Sequence, residues 1–314
     1  MTALAQGSLV VVFGGSGFLG RHIVSRLAKS GYRVRVAVRR PNEALFLKTA
    51  GRVGQVEIVA ANLRHADSVE AALEGADAVI NTVGILYETG KQKFAAVQAA
   101  GAARLALLAG QKNITKFVHI SALGADQQSA AVYAQTKAAG EAAVRENIAS
   151  AHILRPSLVI GPEDDFFNRF AAMALIAPAL PLIGGGVTKY QPVSVFDVAN
   201  AVAACLAGAP AGTYELGGPT VYQFKELMAL LLEQIGRKRL LLPMPFFVAR
   251  MMASVTQFMP KPLLTPDQVI LLQSDNIVTG EEDGDLASLD VEATPIETLL
   301  PRYLRRFRPD IRTS

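Results

Sequence analysis

The turn "GGSGFLG", residues 14–20, restricts the fold of this chain more than any other stretch. It ends the β-branched run "SLVVVF" and opens "FLGRHIVSRLAKSG", where Leu19, Ile23 and Leu27 share one helical face and Gly31 marks the stop. Gly15, Gly17 and Gly20 satisfy G-x-G-x-x-G, and Gly14 completes a G-x-x-G-x-x-G spacing as well. A strand, a turn and a helix in that order need these glycines for separate reasons. The chain must turn tightly, the backbone must come close to a pyrophosphate, and Gly20 must let the helix lie against the sheet. The first helical turn then offers unpaired amides to the diphosphate. The stretch predicts dinucleotide binding by the first β–α unit.

The same rhythm continues. "YRVRVAVRR" reads as a second strand, "QVEIVAANL" as a third, "DAVINTVG" as a fourth, "KFVHISALG" as a fifth and "AHILRPSLVIG" as a sixth. Helical stretches at 92–109 and 131–147 separate the later ones. Strands alternating with helices pair in parallel through right-handed crossovers. The predicted class is α/β: a Rossmann-type parallel sheet with helices on both faces over residues 1–160. Residues 161–314 form a smaller C-terminal lobe, with segments returning to the core and a basic tail.

In such sheets, ligands gather at the carboxyl ends of the strands. The second strand ends in "VAVRRP", with Arg39 and Arg40 and no carboxylate to accept from adenine ribose hydroxyls. Arginine pairs bidentately with a phosphate, so the expected cofactor is NADP(H) rather than NAD(H). The alternative is a solvated basic edge. Asn62 and Leu63 end the third strand, where adenine would be flanked. Thr82, Val83 and Gly84, after Asn81, end the fourth beside the cofactor ribose.

Ser121 closes the fifth strand, and Tyr133 and Lys137 follow at i,i+4 on one helix face. A tyrosine is a poor acid–base group near neutrality unless its anion is stabilised. An ammonium and a positively charged nicotinamide would do that, while a serine hydroxyl polarises a carbonyl. The three residues fit a hydride-transfer site. They equally fit a site in which Lys137 grips the nicotinamide ribose and Tyr133 only caps the pocket.

Other classes are excluded or weakened. Four scattered histidines, 22, 65, 119 and 152, have no metal-ligand spacing, so no metal site is expected. The single Cys205 rules out an internal disulfide and reads as a buried, inert thiol. A net charge of +4 makes no case for nucleic acid. The start lacks a basic n-region, so no targeting segment is expected. "FAAMALIAPALPLIGGGV" is long and uncharged, but two prolines and three glycines make it a buried helix running into a loop rather than a membrane span.

In the second half, Asp164 and Asp165 suit a helix N-terminus, and Phe166, Phe167 and Phe170 either line or close a cleft. "TKYQPVSVFDVANAVAACLAG" reads as a short strand and a helix, "GTYELGGP" as a strand and "VYQFKELMALLLEQIG" as an amphipathic helix. "LLPMPFFVARMMASVTQFMPKPLL" carries Met251, Met252 and Met259, an adaptable apolar surface or an ordinary packed helix. The tail "PRYLRRFRPDIR" holds five arginines, fit for an anionic lipid surface or an acidic subunit.

Four stretches, "VFGGSGFLGRHIV", "YAQTKAAGEAAVR", "ILRPSLVIGPEDDFFNRFA" and "YELGGPTVYQFKELM", together resemble a known family. It is the nucleotide-binding accessory subunit of respiratory complex I, NADH:ubiquinone oxidoreductase, an atypical extended member of the short-chain dehydrogenase/reductase superfamily. The resemblance covers residues 9–275, and "GPEDDFFNRF" is its most specific part. It implies tight NADPH binding without turnover of a known substrate. It also implies a peripheral place beside the core subunits of complex I, near where ubiquinone enters, in support of assembly and stability. The compact sequence implies the bacterial form, on the cytoplasmic face of the inner membrane. Carried over by motif, Gly14, Gly15, Ser16, Gly17, Phe18, Leu19 and Gly20 would hold the pyrophosphate, and Arg39 and Arg40 the 2′-phosphate. Tyr133 and Lys137 would meet the nicotinamide ribose, and Pro156 and Ser157 would border the nicotinamide. Ser121, Tyr133 and Lys137 are all retained, which keeps open a free NAD(P)-dependent reductase, epimerase or dehydratase. A third possibility is an NADP(H)-dependent regulator of a partner.

Overall fold

Alternating β-branched runs and apolar stripes place the elements of the first half. These are β1 (Leu9–Phe13), α1 (Phe18–Lys29), β2 (Arg33–Val38), β3 (Val56–Ala60), α2 (Ala66–Ala72), β4 (Ala78–Asn81), α3 (Ala100–Gln111), β5 (Lys116–Ile120), α4 (Val132–Asn147) and β6 (His152–Pro156). The second half adds β7 (Val159–Ile160), α5 (Asp165–Ile176), β8 (Ala179–Ile183), β9 (Lys189–Tyr190), β10 (Val193–Ser194), α6 (Val195–Leu206) and β11 (Gly212–Leu216). It ends with β12 (Tyr222–Gln223), α7 (Phe224–Gln234), β13 (Leu240–Met244), α8 (Phe246–Thr256), α9 (Pro266–Leu271) and α10 (Ile296–Leu304). The computed structural model describes residues 2–259 and 262–309. Among them, no helix is long and apolar enough to cross a membrane.

The chain divides into two units. The first comprises the chain up to Pro156, Val195–Leu216 and Thr279–Glu292. Its seven strands form one parallel sheet in the order β11-β6-β5-β4-β1-β2-β3. β1 is fully buried, as expected of a parallel strand covered on both faces. α1 lays Ile23, Val24 and Leu27 on the sheet and ends at Ser30, after which Gly31 takes φ +87°. On the side of α2, α3 and α4, Phe13, Leu73, Leu105, Phe117 and Val144 are core.

The expected sixth strand is two strands. β6 stops at Pro156, in register with Leu216 of β11, and β7 pairs with β10 in the second unit. Proline ends the ladder because it has no amide to donate. The second unit comprises Ser157–Ser194, Gly217–Val278 and the chain from Ala293. Its core gathers Phe167, Leu180, Phe224, Leu227, Leu231 and Leu300. Asp164 caps α5, accepting from the amides of Phe167 at 2.6 Å and Asn168 at 3.4 Å, and the Tyr303 hydroxyl donates to the same carboxylate.

The expectation of a buried helix after Asp165 holds at Phe167, Ala171 and Ala174 and fails at Ile176, which is 89% exposed. The run then continues as β8, paired with β13, before Gly184, Gly185 and Gly186 turn at positive φ. Of the arginine-rich tail, Arg312 lies outside the described residues.

Candidate functional site

β1 stands between β4 and β2, so the chain runs outward to β3 and returns on the other side of β1. That reversal opens the crevice where the carboxyl ends of β1 and β4 meet. The fingerprint turn and Thr82–Gly84 lie there side by side. Thr82 donates from both its amide and Oγ1 to the Phe13 carbonyl, at 3.0 and 2.7 Å. Gly14 donates to the Ala37 carbonyl of β2 at 3.0 Å and holds φ +80°.

The glycines are required by contact. A Cβ on Gly14 would lie 2.8 Å from Thr82 Oγ1, and one on Gly20 would lie 2.4 Å from the Gly14 carbonyl oxygen. A Cβ on Gly15 would meet Val36 at 2.9 Å. Gly17 is the N-cap of α1 and brings no side chain to its first amides. This is a cradle with bare N–H groups at its rim, which fits a diphosphate. Ser16, Phe18 and Leu19 are half-buried around it, and Phe18 stacks edge-on against His22.

Ser121 directly follows β5, and Tyr133 and Lys137 lie on α4. Lys137 is buried and donates from Nζ to the Ile120 carbonyl at 3.1 Å. A Cβ on Gly84 would be 3.4 Å from that Nζ, so Gly84 and Lys137 face each other. The Tyr133 ring lies 5.9 Å from the same ammonium and edge-on to Phe94. Ser121 Oγ is buried and has no hydrogen-bond partner among the described residues, as fits a ligand oxygen. Burial pushes the Lys137 ammonium down to about 8, partly offset by Glu141 one turn on.

Behind this face, Asn81 Oδ1 accepts from the Val83 amide at 3.1 Å, and its Nδ2 lies 3.1 Å from His119 Nδ1. Burial holds His119 neutral, at about 3, with the Lys137 and Arg145 cations acting the same way. Gln98 lies in a π-type turn (Ala95–Ala99) ahead of α3. It donates to the Ile85 carbonyl and accepts from Thr136 Oγ1, each at 2.8 Å. One amide thus ties the loop after Gly84 to the helix carrying Lys137.

The remaining expected residues sit less simply. Arg39 and Arg40 are both exposed, and Arg40 makes a surface ion pair with Glu43 at 2.9 Å. Asn62 turns its Oδ1 onto the Arg64 amide, and Leu63 is core. Pro156 ends β6 and accepts at its carbonyl from the Leu123 amide. Ser157 belongs to the second unit, where its hydroxyl bonds Asn276. Phe166, Phe170, Tyr190 and Phe224 form one aromatic cluster there. Sequence reasoning missed Gln98, which was signalled by a lone amide in "FAAVQAAGAARLALLAG". An open recess of about 580 Å³, lined by Leu9, Arg33, Lys48, Gln55 and Glu57, lies at the amino ends of β1–β3, away from these groups.

Comparison with known proteins agrees with this geometry. The sequence model of the NAD dependent epimerase/dehydratase family matches residues 10–217. The chain is 37% identical over 313 residues to the mitochondrial NADH dehydrogenase (ubiquinone) 1 alpha subcomplex subunit 9 of Arabidopsis thaliana, covering 94% of this chain and 78% of that protein. It is 31% identical over 247 residues to the ceramide reductase of Caulobacter vibrioides, covering 78% of this chain and 76% of the reductase. The solved structure of DesIV, a dTDP-glucose 4,6-dehydratase from Streptomyces venezuelae with NAD bound, superposes with a TM-score of 0.73 over 96% of this chain and 97% of that one. Its identity of 19% makes this a likeness of fold. The chain belongs to the NAD dependent epimerase/dehydratase family, and within it is a homologue of the complex I alpha subcomplex subunit 9 proteins.

Proposed function

We propose that this chain is an accessory subunit of respiratory complex I that holds NADPH as a structural ligand without turning it over, in support of assembly and stability. The extent of the match carries the reading: it runs over 94% of the chain with the plant subunit and 96% with the rat one, and so spans both units. The choice of NADPH over NADH is supported by an end of β2 that offers arginines and no carboxylate. The amides at 14–20 would hold the diphosphate, Arg39 and Arg40 the 2′-phosphate, and Tyr133 and Lys137 the nicotinamide ribose. The cytoplasmic face of a bacterial inner membrane rests on the resemblance alone, while a place against the membrane arm is supported by the second unit. There, exposed Leu240, Phe247, Met251 and Val255 accompany the basic run Arg237–Lys238–Arg239.

The test is purification from membranes solubilised in mild detergent. Co-migration with the core subunits of complex I in stoichiometric amount is expected. A free soluble pool with none in the complex overturns the reading.

The Ser121 hydroxyl, buried without a partner among the described residues and next in sequence to the Ile120 carbonyl that Lys137 bonds, favours with the likeness to a ceramide reductase a second reading, an NAD(P)-dependent reductase. When bound, the nicotinamide would supply a hydride. Ser121 would donate to a carbonyl oxygen, and Tyr133 would pass it a proton. Tyr133→Phe separates the two readings. A reductase loses about a hundredfold or more of its rate, whereas an accessory subunit keeps its NADPH and its place in the complex.

A further inference from the structure

The buried face of α4 carries one carboxylate, Glu141, a turn after Lys137 and 1% exposed. In an isolated helix the favourable order is the reverse, because an acid ahead of its base lies nearer the positive end of the helix. The partners of Glu141 come largely from other elements. Arg155, on β6, meets it with a fork: Nε donates to Oε1 at 2.9 Å and Nη2 to Oε2 at 2.7 Å. Arg145, one turn further along α4, brings Nη2 to 3.6 Å from Oε2. The remaining nitrogen of Arg155, Nη1, bonds Glu282, in the segment Thr279–Glu292 that returns to the first unit. Glu215 of β11, in register with Arg155, accepts from the amide and the hydroxyl of Thr279, at 2.6 and 2.9 Å.

A pair buried in this way contributes little net stability, because desolvation offsets most of the attraction. What the fork does is hold the carboxyl group charged and in one place. The neighbour that benefits is Lys137. Its ammonium donates to the Ile120 carbonyl, faces Gly84 and the Tyr133 ring, and has no carboxylate within ion-pair distance among the described residues. Burial presses it toward the neutral amine, and Glu141 is the charge that opposes this. The other groups around it do not. On β5, His119 is held neutral by burial. Arg145 and Arg155 are cations, Glu282 is bound to Arg155, Glu215 to Thr279, and Asp283 to the Thr213 amide at 2.7 Å.

We propose that Glu141 is a positioning residue for Lys137: fixed by Arg155, its charge keeps an ammonium, rather than a neutral amine, at the face that receives the ligand. Its bearing on the ligand rests on the reading above, in which Lys137 meets the nicotinamide ribose. The test is a double-mutant cycle. Wild type and Lys137→Met, each with and without Glu141→Gln, are unfolded in denaturant across the range from neutral to alkaline pH. The stability difference that Lys137 makes starts to rise where the folded protein releases the ammonium proton. Glu141→Gln should move that onset down by about one pH unit or more. Glu141→Asp keeps the charge but withdraws it by one methylene, so its onset should lie between the two, and it carries the test by itself if Glu141→Gln does not fold. Glu282→Gln loosens the same network at Arg155 without touching Glu141. It should lower the melting temperature and leave the onset where it was. An onset unmoved by the Glu141 variants overturns the inference, and so does one that Glu282→Gln moves equally. NADPH, titrated calorimetrically over the same range, should bind the wild type less tightly as pH rises past the onset, and Glu141→Gln should bring that fall to lower pH. Wild-type protein that binds no NADPH at any pH overturns the NADPH reading, while the cycle in denaturant still decides the role of Glu141.

Discussion

At the residue scale, the site is a set of polar groups buried at a cost that a ligand can offset. Lys137 shows this most directly. The unfolded chain holds the ammonium proton up to about 10.4, whereas the buried group releases it near 8. Between these values the unfolded state binds more protons, so the stability of the folded chain rises with pH. Lys137→Met removes the group from that balance. Chemical denaturation at pH 8 and pH 10 should show wild-type stability gaining about 2 kcal/mol relative to the variant. A parallel pH dependence in the two proteins would place the ammonium in water rather than in the core. The i,i+4 pairing of Tyr133 and Lys137 was legible in "YAQTKAAGE" because helix periodicity fixes which residues share a face. The partners of Gln98 were not, since a contact across 38 residues leaves no periodic trace.

At the element scale, the first β–α unit follows from local chemistry alone. Its strand, turn and helix each have the residues their backbone requires, and Gly20 is where these requirements meet. A methyl group there would collide with backbone at 2.4 and 2.6 Å, which no rotamer change relieves. Gly20→Ala should therefore lower stability by about 1–3 kcal/mol, read by thermal unfolding, and weaken every dinucleotide alike. A variant that melts like the wild type and binds NADPH normally would show that α1 can move away from the turn. The sixth strand was less legible, because "AHILRPSLVIG" is one apolar run for two strands in different units. Apolar patterning reports burial, and it does not report which sheet a strand joins.

At the scale of the whole molecule, the chain alternates between its two units and exposes large apolar side chains on several elements of both. α8 is the clearest. Ala249 and Ala253 face inward and are fully buried, while Phe247, Met251 and Val255 stand 70%, 68% and 73% exposed. Large residues outside and alanines inside invert the usual arrangement of a helix packed on a water-soluble core. The repeat of Phe, Met and Val was visible in the sequence, but whether that face was covered depended on tertiary packing. Replacing the three by glutamine removes only solvent-facing apolar groups, so the melting temperature should shift by no more than about 1 kcal/mol per site would produce. If the face lies against lipid, losing three apolar side chains costs on the order of several kcal/mol of partitioning. Sedimentation with vesicles of anionic phospholipid should then fall at least about tenfold. Retention on detergent-solubilised complex I should fall less, because the first unit is unaltered. Wild-type sedimentation by the triple variant would remove lipid from the partners of α8 and leave a protein surface as the cover its exposed face requires.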